Sequence, residues 1–213
     1  MIMKTSFLRN ILPVVALLSL GAAGSVQAQI QHKIDRAKVA FEMQQTPQYA
    51  AAGPKSKRVD PLDWLEIEVE LDLETINKSG YIDQLDAEIY VGVKDSNDGG
   101  KPLLLTGKIT FTEVRAIEKK AWLSAYVSPA ALAKTTGKSK PSKADIEAVA
   151  VKISGPGLRA PITESVGQPV RREGAQWFDS AALKKQEGLV LAKSKTPFAP
   201  LWADRYPLTK DER

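Results

Sequence analysis

Glu66, Glu68 and Glu70, three carboxylates at every second position, are the residues in this chain whose type and spacing come nearest to a catalytic arrangement. On an extended strand they stand about 6.6–6.8 Å apart, inside the separation of the two carboxyls of an inverting glycosidase. That chemistry needs one acid in a desolvated cleft with a raised pKa. Here the row continues into Asp72 and Glu74, and it reads more simply as a solvated sheet surface. Its repulsion would be relieved by Lys or Arg from an adjacent strand or a partner subunit. Glu66, Glu68 and Glu70 are therefore candidates for an assembly surface, and no catalytic residue is assigned.

The remaining inventory narrows the chemistry further. The chain has no cysteine and one histidine, His32. Thiol nucleophiles, disulfide scaffolds, cysteine-based zinc sites and triads that need a buried imidazole are set aside. His32, beside Lys33 and without a second imidazole, reads as part of a solvent-exposed arm. Asp95-Ser96-Asn97-Asp98-Gly99-Gly100 opens like a calcium loop, but Gly99 stands at the fifth position and Thr106 at the twelfth, where ligands belong. It reads as a hairpin connection. No metal and no cofactor is expected. Asn77-Lys78-Ser79 fits the N-glycosylation pattern and is equally a turn. Of Trp64, Trp122, Trp177 and Trp202, Trp122 is the best placed to face outward and stack on a sugar ring.

These residues are carried by strands. Leu65, Ile67, Val69, Leu71 and Leu73 interleave with the acids, so a period of two puts the apolar set on one side. Ala87 to Val93, Leu105 to Val114 and Ala121 to Val127 repeat the pattern, the last with Trp122, Ser124 and Tyr126 opposite Leu123, Ala125 and Val127. Ala148 to Ile153 and Gly188 to Lys193 are shorter candidates, and Val39, Phe41 and Met43 suggest a first strand. With turns at Asn77–Gly80, Asp95–Gly100 and Gly155–Gly157, about seven strands indicate an all-β sandwich. One helix follows Ser128, a good N-cap, with Pro129 at its first position. Ser180 to Gln186 is read as a helical turn or two. The Lys138, Lys140 and Lys143 loop reads as mobile and solvated. No internal repeat is evident.

The two ends differ from the middle. Lys4 and Arg9, the apolar run from Ile11 to Gly24 and Val26-Gln27-Ala28 form a signal-peptide pattern with cleavage after Ala28. The run is short for a membrane span, and no cysteine at the cleavage point offers a lipid anchor. Residues 1–28 are thus expected to be removed, leaving a protein of the periplasm or cell exterior with no later membrane span. Losing Lys4 and Arg9 lowers a formal net charge of +5 by two, too small an excess to argue for nucleic acid. From Thr196 onward, prolines alternate with Phe198, Trp202 and Tyr206. This reads as an extended tail over residues 196–213, packed on a domain of residues 29–195 or on a partner.

Four segments carry a family resemblance: Asp63 to Val69, Leu105 to Phe111, Tyr126 to Pro129 and Lys195 to Tyr206. Together they resemble a family of secreted proteins of verrucomicrobia. The resemblance implies an immunoglobulin-like β-sandwich, encoded beside type IV pilus assembly components, with no enzymatic activity and no functional residues to carry over. The chain is accordingly read as a non-enzymatic structural or interaction protein of the cell envelope. It would contact protein partners, pilus assembly components among them, or a second copy of itself. Glu66, Glu68, Glu70, Trp122, Phe198, Trp202 and Tyr206 are the candidate interaction residues. A glycan-binding module is the alternative, and a periplasmic chaperone that donates a strand the third reading.

Overall fold

Alternating sequence becomes long ladders in the computed structural model, which describes residues 32–49, 60–156, 158, 160–167, 169 and 174–210. The expected signal peptide and the first residues after it lie outside the described residues. In chain order the strands are β1 (Lys33–Gln45), β2 (Asp63–Thr75), β3 (Tyr81–Asp95), β4 (Lys101–Arg115), β5 (Lys120–Val127), β6 (Ile146–Ser154), β7 (Ile162–Gly167), β8 (Lys184–Glu187), β9 (Val190–Ala192) and β10 (Leu208–Thr209). The α-helix α1 (Pro129–Thr136) and a short 3-10 turn (Lys143–Asp145) separate β5 from β6.

The strands form two sheets. One runs β1-β2-β5-β9, all neighbours antiparallel. The other runs β7-β6-β3-β4-β10, with β8 added parallel to β4. Leu65, Ile67, Val69 and Leu71 of the first sheet share one core with Leu85, Ile89, Val91, Leu105, Val149 and Val151 of the second. Burying each such side chain is worth roughly 1.5–3 kcal/mol, an upper figure because the unfolded chain already hides some area. The architecture is the expected all-β sandwich, with ten strands among the described residues where about seven were read.

At the seams the two sheets meet, end strand β1 lying beside end strand β7, and end strand β9 beside β4. Gly107 makes the second approach possible: a Cβ there would lie 2.3 Å from the Val190 carbonyl oxygen. A second, smaller apolar cluster covers the outside of the six-stranded sheet, where Trp177, Phe178 and Leu183 pack on Leu104, Ala148 and Ala150.

The helix forms as its sequence dictates. Ser128 Oγ accepts from the Ala131 amide at 3.2 Å, Pro129 fills the first turn and Gly137 ends it at φ 66°. The Asp95–Gly100 segment is the hairpin connection between β3 and β4, with Asp95 Oδ1 accepting from the Asn97 amide. Asn77 likewise closes a turn, its Oδ1 accepting from Ser79 Oγ and the Gly80 amide.

Three readings are corrected. Ser180–Leu183 makes one turn and then gives way to β8, because Lys184–Glu187 finds a ladder beside Leu103–Thr106 that outweighs helix propensity. The tail is a succession of turns instead of an extended path, with amide-to-carbonyl bonds Ala199 to Thr196, Leu201 to Phe198 and Arg205 to Trp202. His32 is buried at 7% exposure, and burial lowers its pKa while Asp83 pulls the other way. Lys138, Lys140 and Lys143 are exposed as read, with Lys138 paired to Asp145 and Lys143 to Glu42.

Candidate functional site

The outer side of the four-stranded sheet gathers the charged and aromatic residues. Register sets Glu66 opposite Tyr126, Glu70 opposite Trp122 and Asp72 opposite Lys120 across the β2–β5 ladder. On the other flank, Asp72 faces Arg36 of β1. Each acid consequently has a donor. Tyr126 Oη donates to Glu66 Oε1 at 2.6 Å, and burial together with this bond pushes the tyrosine pKa up. Glu70 Oε1 receives Lys120 Nζ at 2.6 Å, while Oε2 receives Trp122 Nε1 at 3.3 Å. Asp72 Oδ2 receives Arg36 Nη2 at 2.6 Å. The bond from Lys120 holds Glu70, and that from Arg36 holds Asp72, below the usual carboxylate range. For Glu70 this is the opposite of what a general acid requires.

The C-terminal residues complete the arrangement. Glu68 Oε2 accepts from Arg205 Nη2 at 2.9 Å and from Nε at 3.2 Å, and also from Tyr206 Oη. The Arg205 guanidinium lies 4.3 Å from the Trp122 ring centroid, so the indole proposed as a sugar platform is covered by a cation. Phe198 is buried, stacked on Tyr126 at 4.8 Å and 10° and edge-on to Trp64 at 6.0 Å. Lys193, itself buried, donates to the carbonyls of Ala199 at 2.8 Å and Leu201 at 2.7 Å, fixing the first turns of the tail.

All seven sequence-identified residues meet at this one place, but their environments differ. Glu66, Phe198 and Tyr206 are buried; Glu68, Glu70 and Trp122 are half-buried; Trp202 alone is largely open at 46% exposure. Trp202 lies nearly parallel to Phe198 at 6.4 Å and edge-on to Tyr206. Its backbone is left-handed, φ 52°, a conformation that costs a bulky residue energy and persists only where its surroundings over-determine it. Tyr49, 56% exposed, is anchored to an earlier turn of the tail by its hydroxyl on the Pro197 carbonyl at 2.7 Å. Leu62, 57% exposed, is tied through Thr46 to the segment that bears Tyr49. The tail thus buries one aromatic set and displays another.

Sequence reasoning missed four contributors, Tyr126, Arg205, Lys193 and Tyr49. Tyr126 was visible as a large ring in phase with Trp122. Arg205 lies 137 positions from Glu68, and nothing local announces that pairing. Among the described residues, no group of three or more His, Cys, Asp and Glu side chains is placed to hold a metal ion, and no helix is long and apolar enough to cross a membrane.

A protein-family model matches residues 25–213. A crystal structure of a protein from the verrucomicrobium Akkermansia muciniphila is similar in fold, with a TM-score of 0.65 and 24% sequence identity over 84% of this chain and 97% of that one. No curated protein matches the chain.

Proposed function

The chain belongs to the family whose model spans residues 25–213, and from that premise we propose that it is a secreted, non-enzymatic interaction protein of the cell envelope, associated with type IV pilus assembly or host contact. The pilus setting and the immunoglobulin-like assignment come from the resemblance of the four sequence segments. The observation that carries the interaction role is the exposure of Trp202 on the tail and of Tyr49 on the segment after β1, whose hydroxyl bonds the Pro197 carbonyl next to buried Phe198. Two exposed aromatics, one of them on a left-handed backbone, are costly for a monomer and suit a contact with another macromolecule. Protein partners in the periplasm or at the outer surface are its expected company.

Affinity capture from the native envelope with the wild type and with a Trp202→Ala/Tyr49→Ala variant tests this. Enrichment of pilus assembly components by the wild type and their loss in the variant supports the role. Normal pili in a deletion strain, with no envelope protein retained, overturns it. The open indole of Trp202 favours a second reading, a glycan-binding module, with Trp202 in place of Trp122 as the stacking platform. Binding to immobilised glycans that disappears in Trp202→Ala while the fold is retained would favour this reading over the first.

A further inference from the structure

Strand β1 ends the four-stranded sheet, and among the described residues the edge it turns away from β2 has no ladder partner. The seam with β7 covers only part of that edge, because the six residues of β7 span about 20 Å and the thirteen of β1 about 44 Å. Burial changes along the strand accordingly. Of the side chains that β1 turns toward the core, Ile34 and Ala37 are buried, while Val39, Phe41 and Met43 are only half-buried. On the outer side of the same stretch Lys38, Ala40 and Glu42 are exposed. Lys143 crosses the edge here, its Nζ 5.2 Å from the core-side Phe41 ring centroid and bonded to the outer-side Glu42. Lysine is a common guard of an open strand, and this one is held loosely, in a pair whose side chains are 49% and 64% exposed.

The uncovered stretch is complementary to itself. An antiparallel copy paired about a two-fold axis at Ala40 sets Lys38 of each chain opposite Glu42 of the other on the outer side, with Val39 opposite Phe41 and Ala37 opposite Met43 on the core side. No two like charges then stand directly opposite. A shift of register by two residues in either direction separates Lys38 from Glu42, and Lys38, unlike Arg36, forms no ion pair among the described residues. We propose that β1 is the docking edge for a second copy of this chain, the two four-stranded sheets joining through residues 38–42 across a two-fold axis. The backbone groups of that edge then bond to protein, and Val39, Phe41 and Met43 lose their remaining exposure to water. This contact does not involve Trp202 and stands whether or not the function proposed above holds.

Sedimentation velocity up to millimolar concentration tests this, run on the wild type and on single Lys38→Glu and Glu42→Lys variants, separately and mixed. The wild type is expected in concentration-dependent exchange between monomer and dimer. Each single variant sets like charges opposite each other twice in its own dimer, so its association should be about tenfold weaker. An equimolar mixture of the two variants should regain the wild-type strength, because the exchanged charges again face their complements. A wild type that stays monomeric throughout, a dimer equally strong in both single variants, or a mixture no stronger than its components overturns the proposal. Lys143→Ala clears the edge and is expected to tighten the dimer severalfold; a weaker dimer in that variant also overturns it. Lys38 and Glu42 are exposed, and matched thermal melts confirm that each variant is folded.

Discussion

The two sheets cover their outer sides by opposite means. On the six-stranded sheet the cover is apolar: Trp177 at 0% exposure and Phe178 at 1% lie on Leu104, Ala148 and Ala150, and Phe178 stacks on Tyr90 at 4.6 Å. On the four-stranded sheet a tail holds on through Arg205–Glu68, Tyr206–Glu68 and the Phe198–Tyr126 stack. Apolar burial is indifferent to salt and to moderate pH change, whereas exposed charge pairs respond to both. The first cover is therefore a fixture, and the second an attachment whose strength depends on the medium.

Mutation can break or sharpen this contrast. Trp177→Ala is expected to cost about 3–5 kcal/mol by cavity formation, with the same loss in low and high salt by urea denaturation. Tyr126→Phe leaves the Glu66 carboxylate buried without its donor and is expected to cost about 1–3 kcal/mol, again read from urea midpoints. Arg205→Gln should cost no more than about 1 kcal/mol, because the pair is part-exposed, and the difference should shrink as salt rises. A large salt-independent loss at Arg205 would erase the distinction between the two covers.

The smallest effect separates them by pH. Lys120 lowers the pKa of Glu70, so its contribution is present above the unfolded carboxylate value and is lost as pH falls through the folded one. Burial raises Glu147, on β6 of the other sheet, so its contribution is present below the unfolded value and is lost as pH rises through the folded one. Glu147→Gln is accordingly expected to gain stability relative to the wild type as pH rises from 4 to 7, and Glu70→Gln to lose it. Parallel denaturation curves at the two pH values check both signs.

The sequence made some of this plain and hid the rest for physical reasons. The 65–74 alternation shows β2 because one side is wholly apolar, and Ser128-Pro129 shows the start of α1 because capping is local. Three strands stayed hidden: β7 has no fully buried side to set up an alternation, β8 is four polar residues recruited by a parallel neighbour, and β10 is two residues long. His32 looked like part of an arm because nothing nearby in sequence reveals what buries it. Among site residues, the acids and tail aromatics stood out by spacing. Which tryptophan would be open did not, since Trp122 is covered by an arginine eighty-odd positions away and Trp202 is turned outward by a backbone conformation that sequence does not encode.

The cover of the four-stranded sheet lies downstream, in chain order, of the strands that it covers. A polypeptide delivered N-terminus first, from a ribosome or through a membrane pore, completes the β2–β5 ladder well before Phe198 and Arg205 emerge. During that interval Tyr126, Trp122 and the acids of β2 stand bare, so the order of delivery gives any passing chain with a similar aromatic and basic segment the first chance at the seat that residues 198–206 later take.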